Sequence, residues 1–355
     1  MSAPVAVSGQ GRGTPTGIAF VDCELKGAAP PEGQPRRREV VFNGKHIKTV
    51  DVHAHCAIPE AMSLLERKAD RPGLLMADTS LADRIRAMDE QGIDVEALSI
   101  NPYWYGADRD LAAEVIRIQN EKLAEISAAQ PDRFVAFATI ALQHPDLAAE
   151  QLQDGVKKYG LRGASVGGSV NGEELADPKF HPFWAKAEEL DVLVFLHPQG
   201  TAELARRVTG NGGLDNTIGN PLETTIALSH LIFEGTLDRF PGLKLCAAHG
   251  GGYLPSYAGR SDAIGLTFPD RYKALKKRPT EYLRQLYFDT LIFTPEALRH
   301  LVAETGPSQL MLGTDYPYPW TKTSVDHILA TPELTDEERI AMLGGNAVRL
   351  LGIED

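Results

Sequence analysis

The stretch KTVDVHAHC, residues 48–56, runs from apolar, β-branched residues straight into two histidines separated by one alanine. Side chains alternate faces along a β-strand, so His53 and His55 point one way and Ala54 the other. Two imidazoles on one face at the end of a strand can grip a single metal ion. An isolated H-x-H pattern is weak by itself, and its weight depends on what the rest of the chain supplies.

From residue 48 onward, short apolar runs of β type alternate with longer helical patterns. After KTVDVH (48–53) come VEALSI (95–100), RFVAFATI (133–140), LRGASV (161–166), VLVFLH (192–197), LKLCAAH (243–249), QLYFDT (285–290) and QLMLGTD (309–315). Most are continuous apolar runs, as strands buried on both faces of a parallel sheet require. Between them, SLADRIRAMDEQG (80–92) shows a Ser cap, apolar residues at helical spacing and a closing Gly. DLAAEVIRIQNEKLAEISAAQ (110–130) and LETTIALSHLIFEGTLDRF (222–240) behave the same way. Eight βα units predict an α/β fold, a closed (β/α)8 TIM barrel over residues 48–355. An open doubly wound sheet is the competing architecture, but no G-x-G-x-x-G turn follows the first strand. Residues 1–47 read as a partly flexible N-terminal arm, with KGAAPPEGQPRRR at 26–38 rich in Pro and Gly.

Of the 355 residues, 43% are hydrophobic and 24% charged, a composition that supports a sizeable core. The formal charge is −12, from 48 acidic against 36 basic residues. That balance argues against a nucleic-acid or anionic-membrane partner, which needs an excess of Lys and Arg. The densest basic run is the short Arg36 to Arg38 triplet in the arm. Three cysteines, Cys23, Cys56 and Cys246, show no C-x-x-C spacing, which suits a reducing compartment and offers no Cys-based zinc site. No apolar run reaches the roughly 20 residues of a membrane span, and the N-terminus lacks a signal-peptide pattern. The expected location is the cytoplasm.

A barrel concentrates its chemistry at the C-terminal ends of its strands. His53 and His55 end the first strand, His197 the fifth, His249 the sixth and Asp315 the eighth, so four of the ten histidines fall on one rim. Three imidazoles and a carboxylate make a mixed N/O site suited to Zn2+ or another first-row divalent ion. A remaining histidine can then serve as acid or base near neutral pH.

VDVHAH at the first strand, HP after the fifth, HGGGYLPSYAGR at the sixth and GTDYP at the eighth resemble the amidohydrolase superfamily over roughly residues 48–352. They most resemble its branch of aminocarboxymuconate-semialdehyde decarboxylase and related aromatic-acid decarboxylases. The resemblance implies that His53, His55, His197 and Asp315 hold one divalent metal, Zn2+ foremost and Mn2+ as the alternative. It makes His249 the catalytic acid/base, with Asp315 also moving a proton. Binuclear members of the superfamily carry a lysine at the end of the fourth strand; GLRGASVGG (160–168) has none, so one metal is expected. The implied activity is nonoxidative decarboxylation of a small aromatic or conjugated carboxylic acid by a mononuclear metal-dependent lyase. A hydrolase or hydratase acting on a small carboxylate would use the same metal shell, and a noncatalytic, metal-stabilised barrel would leave no spare histidine. In the decarboxylase branch, the arginine matching Arg260 reaches into a neighbouring subunit's site to hold a substrate carboxylate. A homodimer or dimer-based oligomer follows from that, and a chain of this net charge needs a local cation to capture an anion.

NPYWYG (101–106) follows the second strand, so Tyr103, Trp104 and Tyr105 are expected to wall a pocket for a flat ring. GLDNTIGNPLET (213–224) reads as a long polar loop that covers the site. HGGG reads either as a close backbone approach or as a flexible turn. Cys56 reads as a small core residue.

Overall fold

The computed structural model describes residues 18–22, 37–69, 72–76, 78–200 and 205–354. Each of the eight expected runs contains a strand: β1 (Val50–His55), β2 (Val95–Ser99), β3 (Phe134–Ala136), β4 (Gly163–Val166), β5 (Leu193–Leu196), β6 (Lys244–Ala247), β7 (Tyr287–Asp289) and β8 (Leu310–Met311). All pairings among them are parallel. One ladder runs β1-β2-β3 and the other β4-β5-β6-β7-β8. Parallel bridges join the two ladders at both seams, Ala138 to Ala164 and Ala54 to Tyr316. At the second seam Val52 N–H donates to Leu312 O at 2.9 Å and Asp315 N–H to His53 O at 2.8 Å. The ring of strands is thereby closed, as the eight βα units predict.

The strand alternation decides which side chains face the barrel interior. On β5, Leu193 and Phe195 join one buried cluster with Phe137, Cys246 and Ala248. Val194 and Leu196 join the larger cluster with Ala227, Leu228 and Leu231 of the helix Asn220–Phe233. His197 continues the phase of Leu193 and Phe195, so its ring is delivered to the interior. The same count on β6 puts Cys246 and Ala248 on one side and Leu245 and Ala247 on the other.

Two expectations need correction. The helix expected at residues 80–92 begins at Asp78, so Ser80 lies within it rather than capping it; it ends at Gln91, and Gly92 closes it with a φ of 72°. The expected loop 213–224 is largely helical: Asp215–Gly219 forms a π-helical turn that runs directly into Asn220–Phe233. Part of the arm is built into a sheet. Ile18–Asp22, Arg38–Phe42 and Lys45–Ile47 form a three-stranded antiparallel sheet, and Val40 is fully buried. Arg37 pairs with Asp94 at 2.7 Å and Arg38 with Asp326 at 2.7 Å, so these two cations of the triplet are engaged within the chain. Residues 1–17 and 23–36, including Arg36, lie outside the described residues. Among the described residues no helix is long and apolar enough to cross a membrane.

Candidate active site

His53 and His55 project from β1, His197 directly follows β5, and Asp315 follows β8. Their ligand atoms all lie within 4.8 Å of one another, and all four residues are buried. His53 Nε2 is 3.1 Å from His55 Nε2, and Asp315 Oδ1 lies 3.2 Å from the first and 2.9 Å from the second. Both ring nitrogens of His197 are buried with no hydrogen-bond partner among the described residues. Converging unpaired nitrogens are costly to bury unless a cation shares them, and this donor set fits one divalent ion. Burial lowers the pKa of His55 and, further, of His197, favouring the neutral imidazoles that ligation requires. Burial works the same way on His53, but Asp315 and Asp289 outweigh it and raise its pKa to about 10. Burial also opposes charge on Asp315, yet the surrounding imidazoles hold its carboxyl well below the usual range.

His249 follows β6 beside this quartet. Its ring centroid is 5.1 Å from that of His53 and 5.2 Å from that of His197. Its Nε2 is 3.9 Å from Asp315 Oδ2. Asp315 thus divides its oxygens: Oδ1 faces the β1 histidines, while Oδ2 faces His249 and accepts the Trp320 indole N–H at 2.7 Å. His249 and Asp315 both hold left-handed backbone, at φ 55° and 61°. Non-glycine residues rarely adopt that conformation, and it concentrates at functional sites. Of the two readings of HGGG, the close approach holds: a Cβ on Gly252 would meet Pro221 O at 2.1 Å.

Asp289, at the end of β7, was not singled out from sequence. Its Oδ2 accepts from His53 Nδ1–H at 2.6 Å and from His249 N–H at 3.0 Å, and its Oδ1 accepts from Gly250 N–H at 2.9 Å. It therefore fixes the His53 ring so that Nε2 faces the metal position, and it anchors the turn that carries His249. The available signal was its place, the last residue of a strand on the same rim. Glu223, also unremarked, accepts the N–H groups of Gln199 and Gly200 and so holds the segment after His197.

A cavity of about 700 Å3 opens over the quartet, walled by His197, Asp315, Tyr103, Tyr105, Asn216 and Asn220. Trp104 is not part of that wall. It is fully buried and donates its indole N–H to Ile140 O at 2.8 Å, because the loop turns the middle aromatic into the core. Arg260 is exposed on the helix Leu254–Thr267 and does not line this chain's cavity. Arg67, which sequence reasoning passed over, does line it, 5.7 Å from the Tyr103 ring centroid. Cys56 is buried core, its thiol pushed up to about 12 by burial.

The amidohydrolase family model matches residues 50–353, nearly the whole barrel. The chain belongs to the amidohydrolase family. Among curated proteins it is 29% identical over 331 residues to the 2-amino-3-carboxymuconate-6-semialdehyde decarboxylase of Dictyostelium discoideum, covering 91% of this chain and 89% of the relative. It is 31% identical over 329 residues to the gamma-resorcylate decarboxylase of a Rhizobium species, covering 86% and 98%. Among solved structures, the dihydroxybenzoic acid decarboxylase of a Polaromonas species, with bound manganese and the inhibitor 2-nitroresorcinol, aligns with a TM-score of 0.77 at 29% identity, covering 86% of this chain and 97% of that one.

Proposed function

We propose that this amidohydrolase is a metal-dependent carboxy-lyase that removes CO2, without oxidation, from a small aromatic or conjugated carboxylic acid. The observation that carries this reading is the buried quartet of ligand atoms with a fourth, non-ligating imidazole, that of His249, beside it. His53, His55, His197 and Asp315 would hold one divalent ion, which when bound supplies Lewis-acid stabilisation of negative charge on substrate oxygens. His249 takes or delivers the proton, and Asp315, whose Oδ2 faces His249, shuttles it to the carbon that loses CO2. Tyr103 and Tyr105 confine the ring, and Arg67 offers positive charge to an anionic substrate in a chain whose overall field repels anions. Activity curated for relatives at 29% and 31% identity supports the same reaction class.

Zn2+ is our first choice of ion, since three imidazoles and one carboxylate suit it; the manganese in the Polaromonas enzyme keeps Mn2+ as the second. We read the protein as a homodimer or dimer-built oligomer in which Arg260 completes the partner's site. Exposed Tyr257 lies one turn before Arg260 on the same helix, an aromatic surface of the kind that self-association buries. Cys56 and Cys246, buried and free, suit a reducing compartment, and we place the protein in the cytoplasm.

The deciding experiment incubates the metal-loaded enzyme with a panel of hydroxybenzoates and muconate-type acids and follows CO2 and the ultraviolet spectrum together. CO2 released in step with loss of the acid is expected. Acid consumed without CO2 would replace the lyase with a hydrolase or hydratase.

A further inference from the structure

A cleft of about 260 Å3 lies between the loop after β7 and the segment after β8, and Trp320 is the wall it shares with the large cavity. Its lips are exposed aromatics, Phe293 at 65% and Trp320 at 44%. Deeper in, it is lined by Thr290, Ser324 and His327, whose Oγ1, Oγ and Nε2 are buried with no hydrogen-bond partner among the described residues. No Lys, Arg, Asp or Glu is among its described lining residues, and burial lowers the pKa of His327, keeping that ring neutral at pH 7. Two wall residues are bonded to the metal-site carboxylates: Leu291 N–H donates to Asp289 Oδ1 at 3.1 Å, and Trp320 Nε1–H to Asp315 Oδ2 at 2.7 Å.

We propose that this cleft is a second binding site, for a small uncharged hydroxylated aromatic molecule of the phenol class, and that its occupant acts on the metal centre through Trp320. Two aromatic lips offer faces for a ring. Two hydroxyls and a neutral imidazole, all without a partner among the described residues, match a phenolic O–H that both donates and accepts. Without a cation, the lining gives a carboxylate nothing to pair with, so the guest is not the acid itself. Removing CO2 from a hydroxylated aromatic acid leaves a molecule of this class. Resting on the decarboxylase reading, the occupant is then the reaction's own product, and its pressure on Trp320 disturbs the hydrogen bond that sets Asp315 Oδ2.

Phenol is the probe and benzoate the control, titrated into the metal-loaded protein by calorimetry and by tryptophan emission. Trp104 and Trp184 are fully buried and Trp320 lines both cavities, so an emission change counts for the cleft where Phe293→Ala removes it. Phe293→Ala, at an exposed lip where folding is not at risk, should show one saturable phenol event fewer than the wild type, or weaken that event by about tenfold. Ser324→Ala should weaken it less, and benzoate should not occupy it at all. In turnover assays phenol should lower kcat in the wild type but only raise KM in Phe293→Ala. Equal phenol binding by the two proteins, or no phenol-dependent emission change, would mean that water alone fills the cleft and would overturn the proposal. The binding comparison needs no turnover, so a protein that binds phenol here yet releases no CO2 would sink the decarboxylase reading alone.

Discussion

Asp289 accepts from His53 Nδ1–H and from the main-chain N–H groups of His249, Gly250 and Leu291, and it is fully buried. Asparagine in its place keeps the shape but loses the charge and half the accepting capacity, so the His53 ring is no longer held in one tautomer. Asp289→Asn should weaken metal binding by about 10–100-fold, measured by chelator competition at equilibrium. His249→Ala is the contrasting case: the metal should stay and turnover should fall by about 10²–10⁴-fold, the usual worth of a general acid–base group. An Asp289→Asn protein with unchanged metal affinity, or a His249→Ala protein that arrives metal-free, would reverse these two assignments. The sequence exposed the histidines because each ends an apolar run and meets a loop signal at once. Asp289 ends such a run too, but its role depends on which imidazole the fold brings to it. Trp104 was misread for a related reason: three consecutive aromatics cannot all face one cavity, and residue order does not say which one turns inward.

At the scale of elements, the continuous apolar runs revealed all eight strands, because a strand covered on both faces has no polar side to confuse the pattern. Segment 213–224 was misjudged because Asp, Asn, Thr and Gly favour turns locally. Tertiary contacts prevail there: Glu223 fastens the first turn of Asn220–Phe233 to the segment after His197, and Thr225 Oγ1 accepts Tyr253 N–H at 2.8 Å. The arm sheet was missed although Asn43-Gly44, both at positive φ between Arg38–Phe42 and Lys45–Ile47, is a hairpin signal. The turn after β6 is one place where elements pack too closely for a side chain. Gly252 has φ 65°, and a Cβ there would strike Pro221 O at 2.1 Å. Gly252→Ala should therefore destabilise the metal-loaded protein by more than about 1 kcal/mol, since both the conformation and the space are denied. Urea unfolding measures it, and a wild-type midpoint would show that the turn and helix can separate without loss.

At the scale of the whole molecule, the prediction concerns two copies. If Arg260 serves the neighbour's site, mixing inactive His249→Ala with inactive Arg260→Ala subunits should restore activity, because one site of each mixed dimer carries neither lesion. Random exchange of equal amounts makes about half the dimers mixed, so about a quarter of wild-type activity should return. No return after confirmed exchange would confine Arg260 to its own chain or remove it from the reaction, leaving the quartet untouched.

The seam between β1 and β8 also fixes an order of events. Thr314 bonds to Asp51 across 263 positions of sequence, and the four converging residues are contributed by the beginning, the middle and the end of the barrel. During synthesis the H-x-H pair emerges early and waits for a carboxylate made almost last. A long loop must be closed before that contact is gained, and such distant contacts form slowly. An ion that requires all four groups cannot be retained by a half-made chain. Once retained, it binds only the closed ring and so opposes reopening by mass action. The catalytic ion is then also a clasp, and its capture marks the moment at which the two ends of the barrel have met.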